Sequence, residues 1–277
     1  MQMRATVGDI MEIMETLAPA GLAEGWDNPG LQIGCRDQVV KTLWVALDPS
    51  FPVISAACRQ GVDLLITHHP FIFKPLDTID LDTPSGKIIS LALRHELSVF
   101  SAHTNLDAAS SGINDVLADR IGLKDISGLD VPRKGFDAHQ PGETNWGMGR
   151  KGCLEEKTHL LHFAEHLKTR LGLTSVRIAG QPDMPVKSVA LCCGSGSSLL
   201  KTFLLSDAEV FVSGDLRYHD ARDAEAAGKG LIDIGHFASE HVILDVLAGR
   251  LQEETKIRGL DVAVQACKLE NDPFQTL

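Results

Sequence analysis

Short β-rich runs alternate with helical stretches along most of this chain, and the alternation limits the possible folds. An amphipathic helix comes first, with Thr6 as its N-cap and Pro19 at its exit. The alternation predicts α/β architecture with largely parallel sheets covered by helices. The predicted strands are residues 42–47, 64–67, 98–102, 176–179, 189–193, 210–213, 231–234 and 261–266.

Composition narrows the class of protein and its partners. The 277 residues are 44% hydrophobic and 23% charged, which is typical of a globular chain with a real core. We find neither a membrane-length apolar run nor a signal-peptide pattern, and therefore predict a cytoplasmic protein with no membrane partner. The net charge of −11 repels phosphate polymers, so a nucleic acid partner is not expected. The six cysteines lack a C-x-x-C pair and are interpreted as buried free thiols.

A weak internal repeat suggests two similar halves. Sliding the chain by 146 residues places Lys187 on Lys41 and Glu209 on Asp63, and a slide of 133 places 232–236 on 99–103. Chance alternation of strands and helices is the alternative, because identities are few. If the repeat is real, residues 1–126 and 127–277 form two α/β lobes, with 127–152 as the connection. A cleft between the carboxyl ends of their strands would then hold the chemistry.

Two histidines and an aspartate follow predicted strands in the first half. His68 and His69 end one strand. Because neighbouring side chains in a strand point to opposite sides, the two histidines suit two metal ions better than one, unless the chain bends there. Asp107 follows the next strand and could bridge two cations. His103, four residues earlier, is either a ligand or a donor that orients Asp107 or a bound water.

The second half offers a matching pair. His236 and Glu240 are four residues apart, so one face of a helix can carry both. With the first group they make a nitrogen and oxygen ligand set suited to Zn, Mn, Fe or Co. His219 or Asp215 could carry protons near the metals, or His219 could simply face solvent at a helix start. The serine and glycine turn at 193–198 could cradle a phosphate or be an ordinary strand-to-helix turn.

Several motifs in order resemble the Nif-three-like family, whose members are also catalogued as GTP cyclohydrolase I type 2 or dinuclear-metal hexameric proteins. The motifs are WDNPGLQIG at 26–34, ITHHP at 66–70, HTNLD at 103–107, GMGRKG at 147–152, GDLRYH at 214–219 and GHFASE at 235–240. The resemblance extends from the first helix to NDPF at 271–274. Lys151 departs from it, because the family more often has an apolar residue there, and the long middle insertion of some relatives is missing.

The resemblance implies two interlinked, internally repeated α/β lobes with mixed sheets, and a homohexameric toroid. It also implies two divalent transition metal ions per chain, Zn, Fe, Mn or Co, in a cleft between the lobes. The family's ligands match a set of five residues here: His68, His69, Asp107, His236 and Glu240. The family labels indicate a metal-dependent hydrolase that opens the purine ring of GTP or cleaves another small phosphate compound, with His103 and His219 as candidate catalytic residues. A non-catalytic metal store, chaperone or regulatory scaffold is the alternative.

Overall fold

A computed structural model describes residues 4–130 and 147–275. The chain forms two compact units, Met1–Leu106 with Ile243–Asn271, and Asp107–Val242 with Asp272–Leu277. This division differs from the one expected after residue 126. The first unit takes in a long segment near the carboxyl terminus, because that segment adds a strand to the first unit's sheet.

The first unit is built on a five-stranded sheet with the order β13-β4-β5-β6-β2. Strands β13, β4, β5 and β6 are parallel, and β2 is the antiparallel edge. A separate short antiparallel ladder joins β1 and β3. The elements are β1 (Ala5–Thr6), α1 (Val7–Leu17), β2 (Gly30–Ile33), β3 (Val39–Val40), β4 (Thr42–Ala46), α2 (Phe51–Arg59), β5 (Leu64–Thr67), α3 (Pro84–Arg94), β6 (Ser98–Ser101), α4 (Thr104–Ala108), α10 (Leu244–Ile257) and β13 (Ala263–Ala266).

Helix α1 begins where the sequence predicts. Thr6 caps it: the Asp9 amide donates to the Thr6 hydroxyl at 3.2 Å, and the Thr6 amide donates to the Asp9 carboxylate at 2.7 Å. This reciprocal arrangement satisfies two amides that have no partner within the helix. Val7, Ile10 and two further apolar side chains of α1 are buried, as the helical spacing predicts.

The second unit is built on a six-stranded sheet with the order β7-β8-β10-β11-β12-β9. Strands β10, β11 and β12 are parallel, and the other pairings are antiparallel. Both large sheets are therefore mixed, which confirms the expected α/β class with mixed sheets and helices. The elements are α5 (Ile113–Arg120), β7 (Lys124–Gly128), β8 (Arg150–His159), α6 (Leu160–Arg170), β9 (Arg177–Ala179), β10 (Pro185–Ser195), α7 (Leu200–Leu205), β11 (Val210–Gly214), α8 (Tyr218–Ala226), β12 (Gly230–Asp233) and α9 (His236–His241).

The ends of the expected connection at 127–152 are strands of this second sheet. Gly128 pairs with Arg150 where β7 and β8 run antiparallel. Residues 131–146 lie outside the described chain. The segment on both sides of them therefore belongs to the second unit rather than to a linker.

Backbone pairing tests the register of the repeat. Leu43 pairs with Leu64 in the first sheet, and Val189 pairs with Val210 in the second, which preserves the offset of 146. The third strands pair at an offset of 132, since Ser98 and Gly230 are the equivalent partners. The histidines that follow these strands, His103 and His236, are 133 residues apart. The second half therefore has one residue more than the first half between its third strand and the following histidine. That residue is Gly235, which has a φ of +85°.

The central parallel strands form the core of each unit and position the polar ends. Every residue of β5, β6, β11 and β12 is buried. Such continuous burial is usual for parallel strands covered on both faces. Because functional side chains in α/β proteins gather after the carboxyl ends of parallel strands, the residues that follow β5, β6, β10 and β12 are the candidates for a site.

Candidate metal centre

Three histidines lie together in the first unit. His68 and His69 follow β5, and His103 follows β6, so the parallel pairing of these strands brings them close. Ring centroids are 4.9 Å apart for His68 and His69, and 5.1 Å apart for His68 and His103. One potential ligand atom from each ring lies within 4.8 Å of the others. These residues therefore form a group that could hold a metal ion.

The adjacent histidines do not point to opposite sides as residues within a strand would. Strand β5 ends at Thr67, whose hydroxyl donates to the His69 carbonyl at 2.8 Å. The chain turns at this point, and the two imidazoles come into contact. The bend that the sequence left open is thus the arrangement found.

Oxygen atoms orient both of these imidazoles through Nδ1. His68 Nδ1 lies 2.9 Å from the Ala102 carbonyl oxygen, and His69 Nδ1 lies 2.8 Å from Asp48 Oδ1. A carbonyl can only accept, so His68 carries its hydrogen on Nδ1 and presents Nε2 as the lone-pair atom. Metal-binding histidines usually have this second contact, which fixes the tautomer and the ring orientation.

His103 has the same kind of support from Asp27. Its Nδ1 lies 2.8 Å from Asp27 Oδ1, while Asp27 Oδ2 accepts from the Thr104 amide at 3.0 Å and the Thr104 hydroxyl at 2.5 Å. Burial alone would raise the pKa of Asp27, but the hydrogen bonds from His103 and Thr104 outweigh it and lower the pKa to about 2. Asp27 therefore remains a carboxylate that holds His103 in place.

Glu270, in the carboxyl-terminal part of the first unit, supports this group through Asp48. Glu270 accepts the amide hydrogens of Leu47 at 2.8 Å and Asp48 at 2.7 Å, and Asp48 in turn contacts His69. Burial raises the pKa of Glu270, although the two amides act in the opposite direction. Sequence inspection did not identify this support.

His236 and Glu240 are in contact in the second unit. His236 Nε2 lies 3.1 Å from Glu240 Oε2 across one turn of α9, and His236 Nδ1 lies 2.8 Å from Asp215 Oδ2. The hydrogen bond to Glu240 is the largest cause that raises the pKa of His236 to about 9; burial opposes it and Asp215 adds to it. Glu240 itself is only 3% exposed.

Asp107 lies beside Cys193, one of the cysteines that the sequence suggested were buried free thiols. The Cys193 sulfur is 3.1 Å from Asp107 Oδ1, and both side chains are buried. Burial raises the pKa of the Cys193 thiol well above its usual range. The thiol therefore donates a hydrogen bond to the carboxylate. The prediction of buried cysteines holds for four of the six, including Cys193, whereas Cys35 is exposed and Cys153 is partly exposed.

Glycine is required at the end of β10. Gly194 has a φ of +58°, and a Cβ there would lie 2.2 Å from Glu240 Oε1 and 3.4 Å from His236 Nε2. Its amide donates to the Ser239 hydroxyl at 2.8 Å, and the Gly196 amide donates to the Ser213 hydroxyl at 2.9 Å. These amides are engaged by serines, so the turn at 193–198 does not offer them to a phosphate.

The two proton-carrier candidates differ in position. Asp215 contacts His236 directly, in a backbone conformation with a φ of +51°. His219 is exposed near the start of α8, with its ring against Tyr218. Within residues 4–130 and 147–275, His219 belongs to no group of three potential metal ligands.

One family of known proteins is similar to this chain along almost its whole length. The model of the Duf34/NIF3 (NGG1p interacting factor 3) family matches residues 5–273. The chain belongs to this family. A Clostridium perfringens relative named GTP cyclohydrolase 1 type 2 homolog is 32% identical, with 97% of this chain and 98% of the relative covered. A second relative of that name, from Clostridium acetobutylicum, is 30% identical, with 99% of each chain covered.

Solved NIF3-related structures have the same fold. The Bacillus cereus protein related to NIF3 superposes with a TM-score of 0.91 at 27% identity, covering 99% of this chain and 100% of that one. A Staphylococcus aureus protein superposes with a TM-score of 0.90 at 31% identity, covering 99% and 100%. In the described part of this NIF3-family chain, none of the helices combines the length and hydropathy needed to cross a membrane.

The donor chemistry of this NIF3-family chain fits a transition metal. Imidazole nitrogens and carboxylate oxygens are a ligand set used by Zn, Mn, Fe and Co. Each of His68, His69, His103 and His236 has Nδ1 held by an oxygen atom. The supporting contacts expected around metal-binding histidines are therefore present at all four.

Proposed function

We propose that this NIF3-family protein is a metal-dependent hydrolase that holds two divalent transition metal ions per chain and acts on a nucleotide or a related small phosphate compound. The observation that carries the proposal is the orientation of four imidazoles through Nδ1, which leaves Nε2 as the atom for coordination or proton transfer. The proposed ligands are His68, His69, Asp107, His236 and Glu240, with Asp107 as the bridge.

The chain's own residues have separate tasks in this proposal. Bound divalent cations would lower the pKa of a water and stabilise the charge that develops on the reacting oxygens. Asp27 holds His103 Nδ1, so Nε2 is the atom at which His103 takes up or releases a proton. Asp215 holds His236 Nδ1 and keeps that imidazole turned toward Glu240. His219 remains a candidate proton carrier by prediction from the sequence, and its exposed position makes His103 the stronger candidate.

The name shared by two curated relatives directs the first substrate test to GTP. Purified protein is loaded with Zn²⁺, Mn²⁺, Fe²⁺ or Co²⁺ in turn and incubated with GTP, and formate and phosphate are measured separately. Release of formate identifies purine ring opening, whereas phosphate without formate identifies phosphoester hydrolysis. The His68→Ala variant serves as the control for metal-dependent turnover. Equal release by the variant and the wild type would overturn the proposal.

A metal store, chaperone or scaffold is the second candidate, and the burial of three of the five proposed ligands favours it. His68, Asp107 and Glu240 are 3%, 5% and 3% exposed, so a small share of each is open to solvent. A closed ligand shell with no labile position is the arrangement of a structural rather than a catalytic site. Slow exchange of isotopically labelled Zn²⁺, with neither product released, would identify this candidate.

We also propose that the chain assembles as a homohexameric ring in the cytoplasm, following the motif resemblance. Closed symmetric assembly is the common form of soluble homo-oligomers. Light scattering at micromolar concentration should give six times the mass of the 277-residue chain. A monomeric mass would contradict the assembly without affecting the metal ligands.

A further inference from the structure

Two exposed aromatic rings adjoin the histidine group of the first unit. Trp26 is 58% exposed and Phe73 is 48% exposed, and their ring centroids are 5.7 Å apart at an angle of 58°. The centroid of the His103 ring lies 6.0 Å from that of Trp26 and 6.4 Å from that of Phe73. Single exposed apolar side chains are ordinary, but two in contact beside a polar group form a defined surface.

Hydrogen bonds to the backbone hold the segment before Phe73. The Asn28 side-chain amide donates to the Ile72 carbonyl at 2.6 Å, and the Ile72 amide donates to Gln32 Oε1 at 3.0 Å. Gln32 Nε2 donates to the Asn28 carbonyl at 2.8 Å, which closes a small network. Phe73 therefore follows a residue whose amide and carbonyl are both fixed.

Trp26 is held in a similar way. The Asp27 amide donates to the Glu24 carbonyl at 2.9 Å, which closes a turn around Trp26. The Glu24 amide donates to the Thr104 hydroxyl at 2.9 Å, and Asp27 contacts both His103 and Thr104. Neither aromatic ring takes part in these polar contacts, so the backbone near both rings is fixed while about half of each side chain remains exposed.

We propose that Trp26 and Phe73 form a stacking subsite for a planar nitrogen heterocycle of the nucleobase type. Because the two rings are inclined at 58°, such a ligand can stack on the face of one ring and contact the other at its edge, with its polar edge atoms toward the neighbouring imidazoles. An aliphatic ligand would cover the rings but would also strip water from the imidazoles without replacing its hydrogen bonds. A simple phosphate compound would leave both aromatic rings exposed. The inference rests on the proposed function and specifies the substrate class as base-bearing.

Equilibrium binding to the full chain separates these ligands. The probes are guanosine 5′-monophosphate and ribose 5-phosphate, titrated into Zn²⁺-loaded wild type and three variants. Trp26→Leu and Phe73→Leu keep apolar bulk and remove the aromatic face. Phe51→Leu is the matched control, because Phe51 is 51% exposed on α2 of the same unit.

Loss of one stacking partner should weaken guanosine 5′-monophosphate binding by about 5-fold to 150-fold, the range for base stacking on an aromatic side chain. Binding of ribose 5-phosphate should stay unchanged in both variants, and Phe51→Leu should match the wild type with both probes. Unaltered zinc content in all four proteins would show that the ligands are intact. Equal wild-type affinity for the two probes, or unaltered nucleotide affinity in both variants, would overturn the subsite.

Two further outcomes distinguish the stacking subsite from a contact between copies of the chain and from the hydrolase proposal. If Trp26→Leu or Phe73→Leu changes the mass in light scattering while nucleotide affinity is unaffected, the rings belong to a contact between copies and the subsite is wrong. If nucleotide binding shows the expected losses but no formate or phosphate is released, the subsite stands and the hydrolase proposal falls. Binding is measured without turnover, so the two failures are distinguishable.

Discussion

Glu240→Gln should change both the strength of metal binding and its dependence on pH. Glu240 is buried, and its contact with His236 Nε2 at 3.1 Å is the main reason that the pKa of His236 is raised to about 9. Near pH 7, below that value, most of His236 carries its proton. A cation that coordinates Nε2 must displace this proton. Affinity in the wild type should therefore rise about tenfold between pH 7 and pH 8.

Glutamine keeps nearly the same volume but carries no charge to stabilise the imidazolium. The pKa of His236 should fall in the variant, since its largest cause of elevation is removed while burial still lowers it. Proton competition then weakens, and the rise in affinity between pH 7 and pH 8 should be much smaller than tenfold. Loss of the ligand charge should reduce affinity at pH 8 by 10-fold or more, which is about 1.4 kcal/mol or greater.

Calorimetric titration of Zn²⁺ into the two metal-free proteins provides the measurement. Titrations in two buffers of different ionisation enthalpy give the protons released, which should be about one fewer per chain for Glu240→Gln near pH 7. The exposed Glu156 supplies a matched control, and Glu156→Gln should behave as the wild type. Equal affinity and equal proton release in wild type and Glu240→Gln would place Glu240 outside the ligand set.

Three other changes test the remaining contacts. Replacing His68 and His69 together with alanine should remove most of the bound metal, and unchanged stoichiometry by elemental analysis would refute their role. Asp215→Asn removes the charge that supports His236 Nδ1 and should weaken metal binding by about 10-fold to 100-fold; a change below about twofold by calorimetry would count against this support. Asp27 contributes stability above the ordinary pKa of 3.8 and loses it as pH falls through the folded value of about 2. Asp27→Asn should therefore cost about 2 kcal/mol near neutral pH, with the difference from wild type in urea unfolding shrinking between about pH 4 and pH 2; a constant difference would contradict the assignment.

The strand that was predicted most closely is one with continuous apolar sequence. Leu64–Thr67 was predicted to the residue, because a parallel strand covered on both faces needs an apolar side chain at nearly every position. Arg150–His159 was missed: three consecutive charged residues occupy its centre, and much of it is exposed. Gly30–Ile33 was also missed because Asn28, Pro29 and Gly30 indicate a turn rather than the start of an edge strand.

The candidate site also contains residues that the sequence predicts and contacts that it does not. His68 and His69 could be found from their place after an apolar run, and His236 with Glu240 from helical spacing. The contacts that orient these histidines could not be predicted, because they join distant parts of the sequence, and Asp215 was named only as a candidate proton carrier. Asp215 is 21 residues from His236. Glu270 is 222 residues from Asp48, whose backbone amide donates a hydrogen bond to it. Patterns within a short stretch of sequence do not predict contacts between residues so far apart.

The division of the chain has a consequence for synthesis on the ribosome. The first unit contains the earliest residues, yet β13 at Ala263–Ala266 and the Glu270 contact to the Asp48 amide are needed to complete it. At about 5–20 residues per second, translating residues 107–242 takes on the order of ten seconds. The nascent first unit must wait through that interval with β4 lacking its β13 neighbour. Residues 107–242 of the second unit are therefore synthesised before the first unit is complete, and His69 receives the support of Glu270 through Asp48 only after all of them have been translated.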